Sequence, residues 1–466
     1  MVTANSELIT LNPATGAELE RHPVASDTEI EAILEAVHRR RLSWASTPMT
    51  RRAELMGEAA AVMRRSPDLA ATITAEMGKP ITEARAEVEK CAVTCEHYAA
   101  HAEEYLADEA APSDAQDSFI AFEPLGTVLA VMPWNFPLWQ VIRFAAPALV
   151  AGNTAVLKHA ANSSRSALNC ERVFRQAGFP DDVFRTLLIP GDAVAAVIAD
   201  PRIVAVTLTG SDATGAKVAA AAGENLKKTV LELGGSDAFI VLEDADVEAA
   251  AAIAVKSRFQ NAGQSCIAAK RFIVVDTVAD RFEAAMVDGV HALRVGDPTR
   301  EDTTMGPLAR SDLRVTFLDQ IQRSVRAGAT VATGGDGVPG PGFYAMPTVL
   351  TRCRAEMPAF AEETFGPLAA IMRVADEDAA LAAANASHYG LGGNIWTSDS
   401  DRGIRLARRM ETGGVFINGM THSDPRLPFG GVKRSGYGRE LHSFGIREFV
   451  NVKTIWVGPA TPQNEH

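Results

Sequence analysis

Thr127-Val128-Leu129-Ala130-Val131-Met132 is an unbroken aliphatic run, and Pro133-Trp134-Asn135-Phe136-Pro137 follows it with an amide side chain held between two prolines. A short run with β-branched residues and no polar face reads as a strand covered on both sides. Working outward, comparable runs recur at residues 154–157, 186–189, 204–208 and 229–233, with helical segments between them. This alternation predicts an open parallel α/β sheet of the Rossmann-like kind, whose ligands bind beyond the carboxyl ends of the strands. Thr209-Gly210-Ser211-Asp212-Ala213-Thr214-Gly215 stands at such an end and opens a helix, so its backbone N–H groups can receive a pyrophosphate. Gly340-Pro341-Gly342-Phe343-Tyr344-Ala345 fits the spacing of a dinucleotide fingerprint but follows a Gly/Pro-rich loop instead of a strand, and is rejected.

The second half repeats the pattern, with strands expected at 238–241, 272–275, 330–332, 369–374 and 414–417. Before them, an Ala-rich helical run at 247–258 stops at Asn261-Ala262-Gly263, which leaves Cys266 on a loop. Most cysteines are buried small hydrophobes, whereas a loop can present a thiol to a cleft. Glu232 ends a buried apolar run, where a carboxylate is costly unless paired or functional. Cys266, Glu232 and the rigidly placed Asn135 together supply nucleophile, base and oxyanion stabiliser, the parts that acyl transfer at sulfur requires.

The amino-terminal third reads as helices. Ser26-Asp27-Thr28-Glu29 forms a capping box, Ile30, Ile33, Leu34 and Val37 follow at helical spacing, and Gly78-Lys79-Pro80 separates two helices. A polar stretch at 111–118 leads to an expected edge strand at 119–122, and the chain closes with a strand at 448–455. The five cysteines are scattered and odd in number, which suits a reducing compartment. Cys91, Cys95, His97 and His101 invite a metal reading, but on one helix His97 lies about 200° round from Cys95, so no metal site is expected.

At 466 residues the chain is long enough for two or three domains. Its net charge of −13 argues against a nucleic-acid partner, whose footprint is basic. No apolar run is long enough for a membrane span and no secretory signal opens the chain, so a cytoplasmic protein is expected.

Pro133-Trp134-Asn135-Phe136-Pro137, Glu232-Leu233-Gly234-Gly235, Gly263-Gln264-Ser265-Cys266 and Glu363-Thr364-Phe365-Gly366-Pro367 occur in the order and approximate spacing of the aldehyde dehydrogenase superfamily. The resemblance covers residues from about 9 to about 457, nearly the whole chain. Residues 135–143 and 423–431 look like the shorter succinate-semialdehyde dehydrogenases. It implies an α/β fold with a Rossmann-like cofactor domain (1–110 and 126–234), a catalytic domain (235–430) and a small β oligomerisation element (111–125 and 440–460), whose tail strand is exchanged with a neighbouring subunit in a homo-oligomer.

The resemblance also implies an NAD(P)-dependent aldehyde dehydrogenase. In that reading Cys266 adds to an aldehyde carbon, Asn135 and the Cys266 N–H hold the oxyanion, and Glu232 activates the water that releases the acid. Contacts to NADP or NAD fall on Trp134, Lys158, Ala161, Gly210, Ser211, Gly215, Leu233, Glu363 and Phe365. Ala161 stands where many NAD-using relatives place a Glu, which admits the 2′-phosphate of NADP without excluding NAD. Arg143 and Ser423 match positions that hold the far carboxylate of succinate semialdehyde, Arg because its planar fork suits a carboxylate, although a structural salt bridge is the alternative for Arg143. Gln260 replaces an Arg of longer relatives, which keeps glutarate semialdehyde or a broad range of aliphatic aldehydes open. Ile267-Ala268 lacks the second cysteine of redox-switched relatives, so no such switch is expected. A thiol hydrolase or CoA-acylating transferase, and a non-catalytic relative, are the rival readings.

Overall fold

The computed structural model describes residues 7–458. The run that decides the fold, Thr127–Met132, is a strand buried along its whole length at the centre of a six-stranded sheet. Thr154–His159 and Phe184–Thr186 lie parallel on one side of it, Ile203–Thr209 and Lys228–Glu232 parallel on the other. Gly436–Tyr437 adds an antiparallel edge beside Lys228–Glu232. Strand order therefore reverses beside Thr127–Met132, and the crevice at that switch opens between Pro133-Trp134-Asn135 and Thr209-Gly210-Ser211.

The helices Met49–Arg64, Ile81–Tyr105 and Trp139–Val150 cover this sheet and share its apolar core. Ser26 caps Asp27–Ala45 with the full capping box. Gly78 takes a left-handed φ of 77° to end Asp68–Met77, and Ile81–Tyr105 begins after Pro80.

Leu233–Ser236 links the first sheet to a second of seven strands, in which Asp237–Val241, Ala269–Val275, Thr348–Thr351, Leu368–Val374, Gly392–Trp396 and Gly414–Ile417 run parallel and Thr330–Thr333 is an antiparallel edge. Thr348–Thr351 and Gly392–Trp396 were not expected. The first holds only four residues, and Gly392-Gly393 disguises the second, whose glycines let it pass Met410 and Asp237 closely.

Other expectations need correction. The strand expected at 186–189 is Phe184–Thr186, and the buried Leu187 and Ile189 lie in the loop after it, apolar for reasons of burial and not of pairing. The expected edge strand at 119–122 is the middle of a three-stranded sheet, Asp117–Pro124, with Glu109–Ala110 on one side and Val450–Val457 on the other. The tail strand is thus not exchanged: it pairs along its whole length, from Val450↔Pro124 to Val457↔Asp117, with its own chain. Antiparallel pairing within the chain satisfies that edge's backbone groups directly. Residues 1–6, 459 and 460 of the assigned domains lie outside the described residues.

Candidate active site

The loop that carries Cys266 is built on strained backbone. Helix Val247–Phe259 ends at Gln260, and Asn261, Ala262 and Gly263 then take left-handed φ of 53°, 53° and 73° in succession. Only the glycine adopts this freely; an alanine there costs on the order of 1–3 kcal/mol, so the surroundings must impose it. They do. The Asn261 N–H donates to Glu83 Oε2 (2.8 Å), its side-chain amide donates to the carbonyls of Asn135 (2.8 Å) and Gln264 (3.1 Å), and Gln264 Oε1 accepts from the Ala309 N–H (2.9 Å). Arg258, fully buried, donates to the carbonyls of Thr364 (2.9 Å), Gly366 and Leu368 and so ties the loop's root to the Glu363–Phe365 segment. Lys270 Nζ donates to the carbonyls of Ser265 (2.9 Å) and Cys266 (2.8 Å).

A β-carbon on Gly263 would stand 2.4 Å from the Gly366 carbonyl oxygen. Gly263→Ala is therefore expected to displace the loop, lowering kcat/KM by roughly tenfold or more, since strain of this kind costs on the order of 1–3 kcal/mol. Steady-state kinetics with a thermal melt would check it, and an unchanged kcat/KM would contradict the assignment.

Cys266 is partly exposed where two cavities meet. The first, of about 420 Å³, lies at the switch point and is lined by Trp134, Asn135, Gly210, Ser211, Leu233, Glu363 and Phe365 among others. Phe365 meets Trp134 edge to face at 5.7 Å. Ser211 caps helix Asp212–Glu224 through the Thr214 N–H, leaving the helix's first N–H groups toward the crevice. Glu363 Oε1 accepts from the Gly235 N–H (3.0 Å) and lies 3.4 Å from Lys270 Nζ; a β-carbon on Gly234 would collide with that carboxylate at 2.3 Å. Lys158, Ala161 and Gly215 do not line this cavity: Lys158 and Ala161 lie at and beyond the end of Thr154–His159, and Gly215 packs under Leu233.

The second cavity, of about 340 Å³, opens on the other side of the sulfur and is lined by Arg143 and Ser423 as expected, and also by Phe136, Trp139, Gln260, Lys79, Glu83, Glu87, Lys90 and Lys256. The last five belong to helices 81–105 and 247–259 and the turn before the first, and no local signal marks them apart from solvated helix charges. Arg143 is not free. Its guanidinium is ion-paired with Glu440, donates to Thr209 Oγ1 (3.1 Å) and lies over the Phe429 ring at 4.8 Å, so the salt bridge held open as the alternative is what the structure contains. Glu440 itself carried no sequence signal.

Asn135 and Cys266 line the same cavity, and the Asn135 amide donates to the Gln264 carbonyl at 3.1 Å beside the sulfur. Glu232 lines neither cavity. It is 2% exposed, both carboxylate oxygens lack a hydrogen-bond partner, and its charged neighbours are Arg143 and Glu440. Burial raises its pKa well above the carboxylate range, opposed by Arg143. Burial likewise pushes the Cys266 thiol up to about 11, with Arg143 and Lys270 opposing. In this desolvated pocket the cations offset the loss of water only in part, so both groups hold their protons more tightly than they would in water.

Cys91 and Cys95 are buried in the helical core, while His97 stacks on His101 at 4.6 Å and bonds the Tyr105 hydroxyl at 3.2 Å. The four do not converge.

A partly exposed thiol between a cofactor-sized crevice on a parallel sheet and a second cavity that mixes apolar walls with charged side chains defines a sulfur-centred dehydrogenase architecture. The profile of the Aldehyde dehydrogenase family matches residues 1–455, and the chain belongs to that family. Among curated relatives, the probable succinate-semialdehyde dehydrogenase [NADP(+)] of Synechocystis sp. is 49% identical over 451 residues, covering 97% of this chain and 99% of that protein. The succinate-semialdehyde dehydrogenase [NADP(+)] of Mycobacterium avium is 49% identical over 456 residues, 97% of each chain. The crystal structure of succinic semialdehyde dehydrogenase from Streptococcus pyogenes, in complex with NADP+, superimposes with a TM-score of 0.95 at 39% identity over 97% of this chain and 100% of that one.

Proposed function

We propose that the protein oxidises succinate semialdehyde to succinate with NADP as the hydride acceptor. The observation that carries this is the position of Cys266, with the cofactor crevice on one side and a cavity lined by lysine and arginine on the other. An aldehyde carbon at the sulfur then has its own negatively charged end directed into a cavity where Lys79, Lys90, Arg143 and Lys256 outnumber Glu83 and Glu87. Relatives of about half identity that bear this activity support the same reading.

The residues present fit the cofactor. The crevice lies at the topological switch, a helix amino terminus at Ser211 suits a pyrophosphate, and Trp134, Gly210, Leu233, Glu363 and Phe365 form its walls. Ala161 is exposed and brings no carboxylate against a 2′-phosphate, and Lys158 is the nearest predicted cation on that strand. The nicotinamide, when bound, supplies the hydride acceptor.

The chain's own residues do the rest. Cys266 loses its proton and its sulfur adds to the aldehyde carbon, and Asn135 Nδ2 and the Cys266 N–H stabilise the oxyanion. Loss of hydride leaves a thioester on the sulfur. Glu232 then takes a proton from water as that water attacks the acyl carbon, releasing succinate and restoring the thiol.

The domain division follows the sheets, with the cofactor domain built on Thr127–Met132 and its neighbours and the catalytic domain on Asp237–Val241 and its neighbours. We assign a homo-oligomer of cytoplasmic location. Val452, Trp456 and Val457 stand exposed on the tail strand, a surface that suits a second subunit. Among the described residues no helix is long and apolar enough to cross a membrane.

A kinetic panel tests the function: succinate semialdehyde, glutarate semialdehyde and butanal, each with NADP and NAD and without CoA. Succinate semialdehyde with NADP is expected to exceed butanal in kcat/KM by roughly tenfold or more, as one charge-assisted contact gives this much. A requirement for CoA, or turnover without either nicotinamide, would overturn the reading.

A further inference from the structure

The second cavity holds four cations, and their commitments differ. Lys79 is ion-paired with Glu87, both side chains 1% exposed, and Arg143 is ion-paired with Glu440. Lys256 lies on the exposed side of its helix. Among the described residues neither Lys256 nor Lys90 has a carboxylate within ion-pairing distance, but of the two only Lys90 is partly buried. Its Nζ donates instead to Ser423 Oγ at 2.6 Å and sits 4.1 Å from the centroid of the Trp139 ring.

We infer that Lys90, acting with Ser423, is the residue that binds the substrate's distal carboxylate and sets selectivity for an acidic aldehyde. This rests on the function proposed above and deepens it. An ammonium has three N–H donors, and one goes to Ser423. Because Ser423 Oγ accepts from Lys90, its own hydroxyl proton is turned elsewhere and is available to the cavity. Lysine and serine thus offer two donors to the two oxygens of a carboxylate. Trp139 packs against the ammonium and limits its hydration, so an anion is the partner that gains most there. Arg143, stacked on Phe429, ion-paired with Glu440 and bonded to Thr209, contributes its field and its packing instead. Lys90 also makes good the positive charge missing at Gln260, from a different helix.

The charged state of Lys90 is sensitive to pH. Burial, reinforced by Arg143 from helix Trp139–Val150, lowers its pKa to about 8. Cys91 and Glu87 on its own helix and Cys266 from the nucleophile loop oppose that lowering. Raising the pH through 8 removes the charge in the free enzyme, and a bound carboxylate favours keeping it.

The test compares succinate semialdehyde with butanal, which has the same carbon chain without the charge, in the full-length enzyme with NADP. Lys90→Met is expected to raise KM for succinate semialdehyde roughly 10- to 100-fold, with kcat and both butanal constants changing less than about threefold, and Lys90→Arg is expected to recover most of the affinity. Independently of any variant, the wild-type KM for succinate semialdehyde should rise roughly tenfold between pH 7 and pH 9 while that for butanal stays level. Equal changes in KM for the two aldehydes in Lys90→Met would overturn the assignment. A wild type that does not prefer succinate semialdehyde would remove the substrate reading and the proposal together, whereas a preference that survives in Lys90→Met would remove Lys90 alone.

Discussion

Cys266→Ala is expected to lower kcat by on the order of 10⁴-fold or more, because no other group in either cavity can form the covalent intermediate. The fold should not register the change. Cys266 is partly exposed, its sulfur sits between cavities, and the loop that carries it is held by Asn261, Gln264, Arg258 and Lys270 acting on backbone groups. The thermal midpoint is therefore expected to stay within a few degrees, as surface-like truncations usually cost under about 1 kcal/mol. NADPH formation measured at saturating aldehyde, with a melt on the same sample, decides the matter. Substantial residual turnover would move the nucleophile elsewhere.

The second large effect is expected from Glu232→Gln. If Glu232 serves the water that cleaves the thioester, the steady-state rate should fall roughly 10²- to 10³-fold, in the range general bases contribute. A rapid burst close to one NADPH per Cys266 should survive, since acylation precedes that step. Stopped-flow absorbance reads both. Loss of the burst as well would place Glu232 at the earlier proton transfer from the thiol. Stability should hold or rise, because both oxygens of Glu232 are buried without partners and an amide of the same shape removes an ionisable group from that position.

Burial raises the pKa of the Cys266 thiol to about 11 and that of Glu232 well above its ordinary value, and Arg143 opposes both shifts.

Much of the fold was legible because its strands are short, covered on both faces and therefore uniformly apolar, as at Thr127–Met132, Ile203–Thr209 and Lys228–Glu232. Strands that depart from that rule were missed: Gly392–Trp396 trades side chains for close backbone passage, and the partner of Val450–Val457 is fixed by the path of the chain, which local pattern does not encode. The candidate reactive groups stood out for a related reason. Cys266 after a turn-forming Asn-Ala-Gly, Glu232 at the end of an apolar strand and Asn135 between prolines are each anomalous in place, and chemistry explains such anomalies.

What the sequence by itself determined was therefore the layered α/β plan and the candidates for the reacting side chains, both written in runs of neighbouring residues. Only the tertiary structure decided which cations remain available. The sequence pointed to Arg143 and not to Lys90, yet Glu440, far along the chain, neutralises the first, and the second has Ser423 and Trp139 beside it and no counter-ion. Pairing between distant segments depends on distance in space, and a charge's value to a ligand depends on whether another residue has already claimed it.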